Sequence, residues 1–112
     1  MNKVTYENVR VNINNEIVHV RTFNLRADFS DSVLVWQRFL EAINRLSSVT
    51  ILGTLKHDFP GGGFSGVAII GESHAAIHTW PETNYAFAEL ATCGNPRALD
   101  ELEQQLRILR WL

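Results

Sequence analysis

The sequence predicts an α+β domain, a two-layer sandwich in which one antiparallel sheet carries two helices on one face. Three observations lead there. Several short runs alternate apolar and polar residues as strands do. The gaps between them are too short for the crossovers that parallel pairing needs. Only two segments show helical periodicity, and two helices laid on one side of a sheet are the simplest packing for that order. The chain has 112 residues, 46% of them hydrophobic, which is one domain with enough apolar side chains for a core.

Residues 9–25 read as strand: VRVNI and IVHVRTFNL both alternate, and Asn14-Asn15 between them is a turn. Ser30-Asp31-Ser32 offers N-cap residues for a first helix. Behind it Val33, Trp36, Leu40 and Ile43 step by three and four, with Phe39 and Leu46 on the same side, which predicts an amphipathic helix. A short strand over 49–55 follows, then HDFPGGGF, whose glycines exclude regular structure and mark a turn or a close backbone approach. SGVAIIG and YAFAELATC read as buried strands. Asn95-Pro96 starts the second helix, with an N-cap and then proline at the first helical position. Leu99, Leu102, Leu106 and Leu109 form its apolar stripe, with glutamates early and Arg107 and Arg110 late, as the helix dipole prefers. The order is strand, strand, helix, strand, strand, strand, helix. Several strands are apolar on both faces, so the face without helices is expected to be covered by a second copy, a homodimer joined through the sheets.

Composition narrows the function. Ten Lys and Arg are scattered among twelve acids, for a formal net charge of -2, and no basic run exists, so nothing favours nucleic acid. No apolar stretch approaches the ~20 residues of a membrane span, and MNKVTYENVRVN lacks the apolar core of a secretion signal. One cysteine, Cys93, excludes an internal disulfide and suits a cytoplasmic setting. His57, His74 and His78 have no diagnostic ligand spacing, so no metal is assigned. The glycines at 61–63 lack the Lys-Ser/Thr or helix start of a phosphate loop.

One stretch resists a purely structural reading. ESHAAIHTWPE, residues 72–82, sets Glu-Ser-His inside an otherwise apolar, strand-like run, with a second histidine five residues after the serine. In one unbroken strand over 65–80, Ser73 and His78 would lie on opposite faces. They can act together only if the chain bends at Ser73, and Gly71 is the residue that permits a bend. The bend would leave the Glu72–Ser73 peptide strained and exposed. In the next strand Tyr85, Phe87, Glu89, Ala91 and Cys93 share a face, with Cys93 at the rim. Each residue also has an ordinary reading: Ser73 as a turn serine, His78 as a half-buried histidine, Cys93 as a small buried residue, Glu82 as a solvated loop acid. Taken singly, Ser73, His78 and Cys93 keep those ordinary readings, and only a match of all three to a known register would displace them; for Glu82 the loop-acid reading stands on equal terms with a functional one.

The segment GFSGVAIIGESHAAIHTWPETNYAFAELATCGN resembles the core of the bacterial and archaeal S-adenosylmethionine decarboxylase proenzymes. Their pattern is a G-x-S-G-V strand, then E-S-H-x-x-I-H-[TS]-[WYF]-P-E, then a strand ending T-C-G. The likeness runs over residues 59–95, about a third of the chain. HDFPGGGFSG also resembles the family's segment before that strand, with the proline displaced by one position.

The resemblance implies a single pyruvoyl-dependent decarboxylase domain, 1–112, that cuts itself between residues 72 and 73 into a β chain, 1–72, and an α chain, 73–112. The Ser73 hydroxyl attacks the Glu72 carbonyl, an ester replaces the peptide bond, and loss of the Ser73 α-proton opens it by β-elimination. The dehydroalanine takes up water and loses ammonia to become a pyruvoyl group. That cofactor, derived from Ser73, forms a Schiff base with the substrate amine and serves as the electron sink for decarboxylation. By the same resemblance His78 and Ser65 assist processing, Cys93 returns a proton to the substrate carbon, Phe59 stacks on the adenine and Glu82 binds polar groups of the substrate. The implied partners are a small-molecule substrate and a second copy, as a homodimer or a dimer of processed αβ units. S-adenosylmethionine is the first substrate reading, supplying the aminopropyl donor for spermidine. Arginine or ornithine is the alternative, since some members of this family use them, and a non-catalytic relative is a third reading.

Overall fold

A computed structural model describes residues 4–10, 17–47 and 49–112. The elements are β1 (Val4–Arg10), β2 (Ile17–Arg26), α1 (Ser32–Asn44), β3 (Ile51–Asp58), β4 (Phe64–Ile70), β5 (Ser73–Trp80), a 3₁₀ turn at Pro81–Thr83, β6 (Tyr85–Thr92) and α2 (Arg97–Ile108). Among the described residues the strands form one six-stranded sheet in the order β1-β2-β6-β5-β4-β3. Every neighbouring pair is antiparallel. The α+β sandwich expected from the sequence is therefore the fold observed.

Three details differ from expectation. The sheet has six strands where the sequence order counts five, because residues 64–80 are two strands folded back on each other. β1 begins at Val4, ahead of the expected start at residue 9. Asn14-Asn15 lies outside the described residues. The buried side of α1 is also rotated from the predicted stripe. Val35, Phe39, Ala42 and Ile43 are buried, whereas Val33 is exposed and Trp36 and Leu40 are only partly covered. The first two turns of α1 are apolar almost all round, so periodicity alone could not say which side meets the sheet.

Both helices cover the same face. α1 packs over β3 and β4, α2 over β2, and the two helices touch between them. Alternation along the strands sends Phe23, Leu25, Phe64, Ala68, Ile70, Ala75, Ile77, Ala86, Ala88 and Leu90 into this layer, where all are buried. The small residues make room for the helices. At Gly66 a Cβ atom would lie 2.4 Å from the Trp36 ring, so only glycine lets that indole lie on the strand.

The helix ends follow local chemistry. Asp31 caps α1 by accepting from the Leu34 N–H at 3.0 Å. Asp28 accepts from the Ser30 hydroxyl at 2.6 Å and from its N–H at 3.0 Å. These bonds, the hydroxyl first, hold its carboxyl below its ordinary value. The second helix starts one residue later than the sequence predicts: Pro96 is its N-cap and not its first residue, and Asn95 stands just outside it, where its Oδ1 accepts from the Arg97 N–H at 3.0 Å. Past α2, Arg110 takes a left-handed conformation, so it lies beyond the helix and not in its last turn. That turn brings Trp111 back to stack edge-on against Phe29 and to accept the Arg26 N–H at 2.9 Å. Under α2, Arg21 is only 6% exposed and pairs with Asp100 at 2.8 Å and Glu103 at 3.2 Å.

Candidate functional site

β4 and β5 are joined by Gly71 and Glu72 alone, since Ile70 and Ser73 pair directly across the turn. Gly71 has φ +57, and a Cβ there would meet nothing within 4 Å, so glycine is favoured by conformation and not by space. Glu72 is exposed. The bend expected near Ser73 is thus present, but it precedes the serine. Ser73 already pairs with Ile70 on one side and Thr92 on the other, which leaves no residue to rotate the strand. β5 then runs without a break. Ser73, Ala75, Ile77 and Thr79 face the helices, while His74, Ala76, His78 and Trp80 face the open side. Ser73 and His78 stand five residues apart, ~17 Å along the strand, on opposite faces. Within one chain they do not meet.

The residues of interest therefore fall into two groups. At the Ser73 end, the serine hydroxyl donates to Thr92 Oγ1 at 2.7 Å, and the Gly94 N–H donates to the same oxygen at 3.0 Å. Thr92 is buried. Cys93 follows just past the end of β6 and is exposed, which excludes the small-buried-residue reading. A cavity of about 270 Å³ opens beside Ser73, with Ser47, Thr50, Glu72, Thr92 and Asn95 among its walls.

At the other end, Ser65 and His78 are cross-strand partners, and Ser65 Oγ lies 2.7 Å from His78 Nδ1. They stand in an apolar hollow of about 200 Å³ whose walls include Leu55, His57, Val67 and Ala76. The His78 ring lies among aromatics, 6.4 Å from Trp80 and 6.5 Å from Phe87 between centroids. Trp80 stacks on Tyr85 at 5.5 Å, and the Tyr85 hydroxyl donates to Asn24 Oδ1. Phe59 sits in the β3–β4 turn, 49% exposed, with its ring edge-on to His57 at 4.7 Å. That turn is a closed one: the Phe59 N–H donates to Gly63 O at 2.8 Å, with Gly61 and Gly62 at positive φ. Glu82 lies in the 3₁₀ turn after Trp80 and is exposed.

The structure thus places Glu72, Ser73 and Cys93 at one end of the sheet and Ser65, His78, Phe59 and Glu82 at the other. Two contacts escape a reading of the sequence. Thr92 is the direct partner of Ser73, and only the β5–β6 register pairs them. His74 Nε2 approaches Glu89 Oε1 at 3.2 Å on the open face. Among the described residues no three of His, Cys, Asp and Glu converge as a metal site would require.

The family model for S-adenosylmethionine decarboxylase matches residues 18–110. The chain is similar to the S-adenosylmethionine decarboxylase proenzyme of Pseudomonas paraeruginosa, 45% identical over 67 residues, which is 60% of this chain and 41% of that protein. It is 46% identical over 66 residues to the proenzyme of Acidithiobacillus ferrooxidans, 59% of this chain and 49% of that one. With the proenzyme of Synechococcus it shares 41% over 61 residues, 54% of this chain and 48% of that one. The chain therefore spans about half the length of the curated relatives it matches. Among solved structures, the adenosylmethionine decarboxylase of Aquifex aeolicus superimposes with a TM-score of 0.64 at 31% identity, over 80% of this chain and 79% of that one.

Proposed function

We propose, because this chain belongs to the S-adenosylmethionine decarboxylase family, that it is a self-processing decarboxylase of S-adenosylmethionine. The observation that carries the reading is the position of the Glu72–Ser73 bond. It lies at the end of a two-residue turn, with an exposed residue on one side and a hydroxyl on the other, at the point where the family pattern puts Glu-Ser-His.

Processing uses this chain's own atoms first. Ser73 Oγ attacks the Glu72 carbonyl carbon, the peptide C–N bond breaks, and the amine of residue 73 is freed while the ester forms. An exposed turn can accommodate the cut without unravelling the sheet, because β4 and β5 remain paired along their lengths. The residues present suit a pyruvoyl group derived from Ser73, since a cavity adjoins the serine and an exposed thiol follows its neighbour on β6. Such a group supplies a ketone that engages the substrate amine and draws electrons as carbon dioxide leaves. Cys93 is the proton donor to the substrate carbon. At the aromatic end, Phe59, Trp80 and Tyr85 suit a flat base, and cation–π attraction to a sulfonium adds ~1 kcal/mol.

The working unit is a homodimer packed through the open faces. Leu55 is 72% exposed and Ile69 55% exposed on that side. Such apolar exposure marks an interaction surface. In one chain the Ser73 end and the His78 end are too far apart to share a substrate. A two-fold axis lying between the sheets and across the strands would set one copy's Ser73 end against the other's His78 end, with the sheets ~10 Å apart.

Intact mass spectrometry of the purified chain tests the reading. Fragments 1–72 and 73–112, the second bearing a carbonyl that reacts with hydrazine, are expected, together with carbon dioxide release from S-adenosylmethionine. A chain that stays whole and unreactive would refute self-processing. Release only from arginine or ornithine would move the substrate to the alternative.

A further inference from the structure

We propose that Thr92 is the positioning residue for the first step of self-cleavage. The inference rests on the self-processing reading above and adds a role within it. Ser73 Oγ donates to Thr92 Oγ1 at 2.7 Å, and the Gly94 N–H, which can only donate, fixes that acceptor from the other side at 3.0 Å. Thr92 is buried under the helix layer and its backbone is held in register by pairing with both Ser73 and His19. The serine rotamer is therefore set by a rigid neighbour and not by solvent. His78 has no such access to Ser73, being on the opposite face with Nδ1 engaged by Ser65.

The arrangement suits an N-to-O acyl shift. With its proton directed to Thr92, Ser73 Oγ keeps its lone pairs for the carbonyl carbon of Glu72. The new bond joins Oγ to that carbon, the bond from that carbon to the Ser73 nitrogen breaks, and the Oγ proton ends on that nitrogen. Nothing is oxidised or reduced. Thr92 holds the hydroxyl in place and contributes no atom to the product. His78 is left for the later elimination, delivered by the partner copy.

The test follows cleavage of freshly folded full-length chain in Thr92→Val, Thr92→Ala and Thr92→Ser, with circular dichroism and thermal unfolding to show that each is folded. Loss of a hydrogen bond of ordinary strength slows cleavage about 10-fold in the Val and Ala variants. Thr92→Ser, which keeps the acceptor, recovers most of the rate. Hydroxylamine separates the steps, because it cleaves an accumulated ester. It accelerates chain cutting in His78→Ala, where the ester waits for elimination, and does not restore the wild-type rate in Thr92→Val, where formation of the ester is itself the slowed step. Wild-type rates in either folded variant lacking the hydroxyl would overturn the role, as would hydroxylamine rescue of Thr92→Val or a Ser variant as slow as Val. An uncut wild-type chain would instead defeat the self-processing reading itself.

Discussion

At its start β5 places Ser73 on the helix-covered side, beside buried Thr92 and one turn from solvent. Near its far end it places His78 on the open side, against Ser65 and among aromatic rings. The same strand thus serves two environments that share neither face nor neighbours. The Ser73 end is complete within one chain as far as hydrogen bonding goes: hydroxyl, acceptor and anchoring N–H are all present. The His78 end holds a histidine hydrogen-bonded to Ser65 and a bank of aromatics, with the Glu72–Ser73 bond of its own chain at the far end of the strand. The lesson is that one copy sets a hydroxyl, its acceptor and an exposed peptide bond together at one end of β5 but keeps its histidine and its aromatic surface at the other.

The largest expected effect concerns the Ser73 end. Ser73→Ala should abolish cutting, leaving one unbroken chain by mass spectrometry with unfolding close to that of the wild-type precursor. Next, His78→Ala should slow processing by ~10²- to 10⁴-fold, the usual worth of a positioned acid or base. The sharper version co-expresses Ser73→Ala with His78→Ala. If the far ends meet across a dimer, the mixed pair rebuilds one good site and part of the His78→Ala chain is cut. If each chain serves itself, none is cut at that speed, and the two-end comparison loses its meaning.

Between the ends, Gly66→Ala would drive a methyl to 2.4 Å from the Trp36 ring. Overpacking of that kind costs ~1–3 kcal/mol, to be read as a lower denaturant midpoint with both ends affected alike. At the aromatic end alone, Phe59→Ala should raise KM for S-adenosylmethionine by about 5- to 10-fold, the loss of ~1 kcal/mol of stacking, while cutting at residue 73 is unchanged. A substrate without an adenine would not register the change.

The smallest effect lies away from both. Asp28 has its carboxyl held down in the folded chain by Ser30. Its stabilising contribution is therefore present above the unfolded value near pH ~4 and is lost as pH falls through the lower folded value. Asp28→Asn should trim stability slightly at neutral pH and flatten the acid side of a thermal-melt profile, leaving both ends of β5 untouched.

Much of this was readable before any coordinates. Alternation and short gaps determined an antiparallel sheet, because side chains in strands repeat every two residues and tight turns cannot make crossovers. Asp31 announced the start of the first helix, and Asn95-Pro96 that of the second to within one residue, since helix starts depend on only a few neighbouring residues. Ser73, Cys93 and His78 stood out only together, through the likeness of their segment to a family pattern. Tertiary structure decided the rest. Which side of α1 is buried depended on the Trp36–Gly66 fit, since the helix itself was apolar on more than one side. That residues 64–80 make two strands, with the turn before Ser73, followed from pairing on both flanks. Thr92 became the serine's partner only through the β5–β6 register, a contact between residues far apart in the chain. Local rules act over a few residues and can be read in one dimension; a hydrogen bond between strands exists only once the sheet has chosen its register.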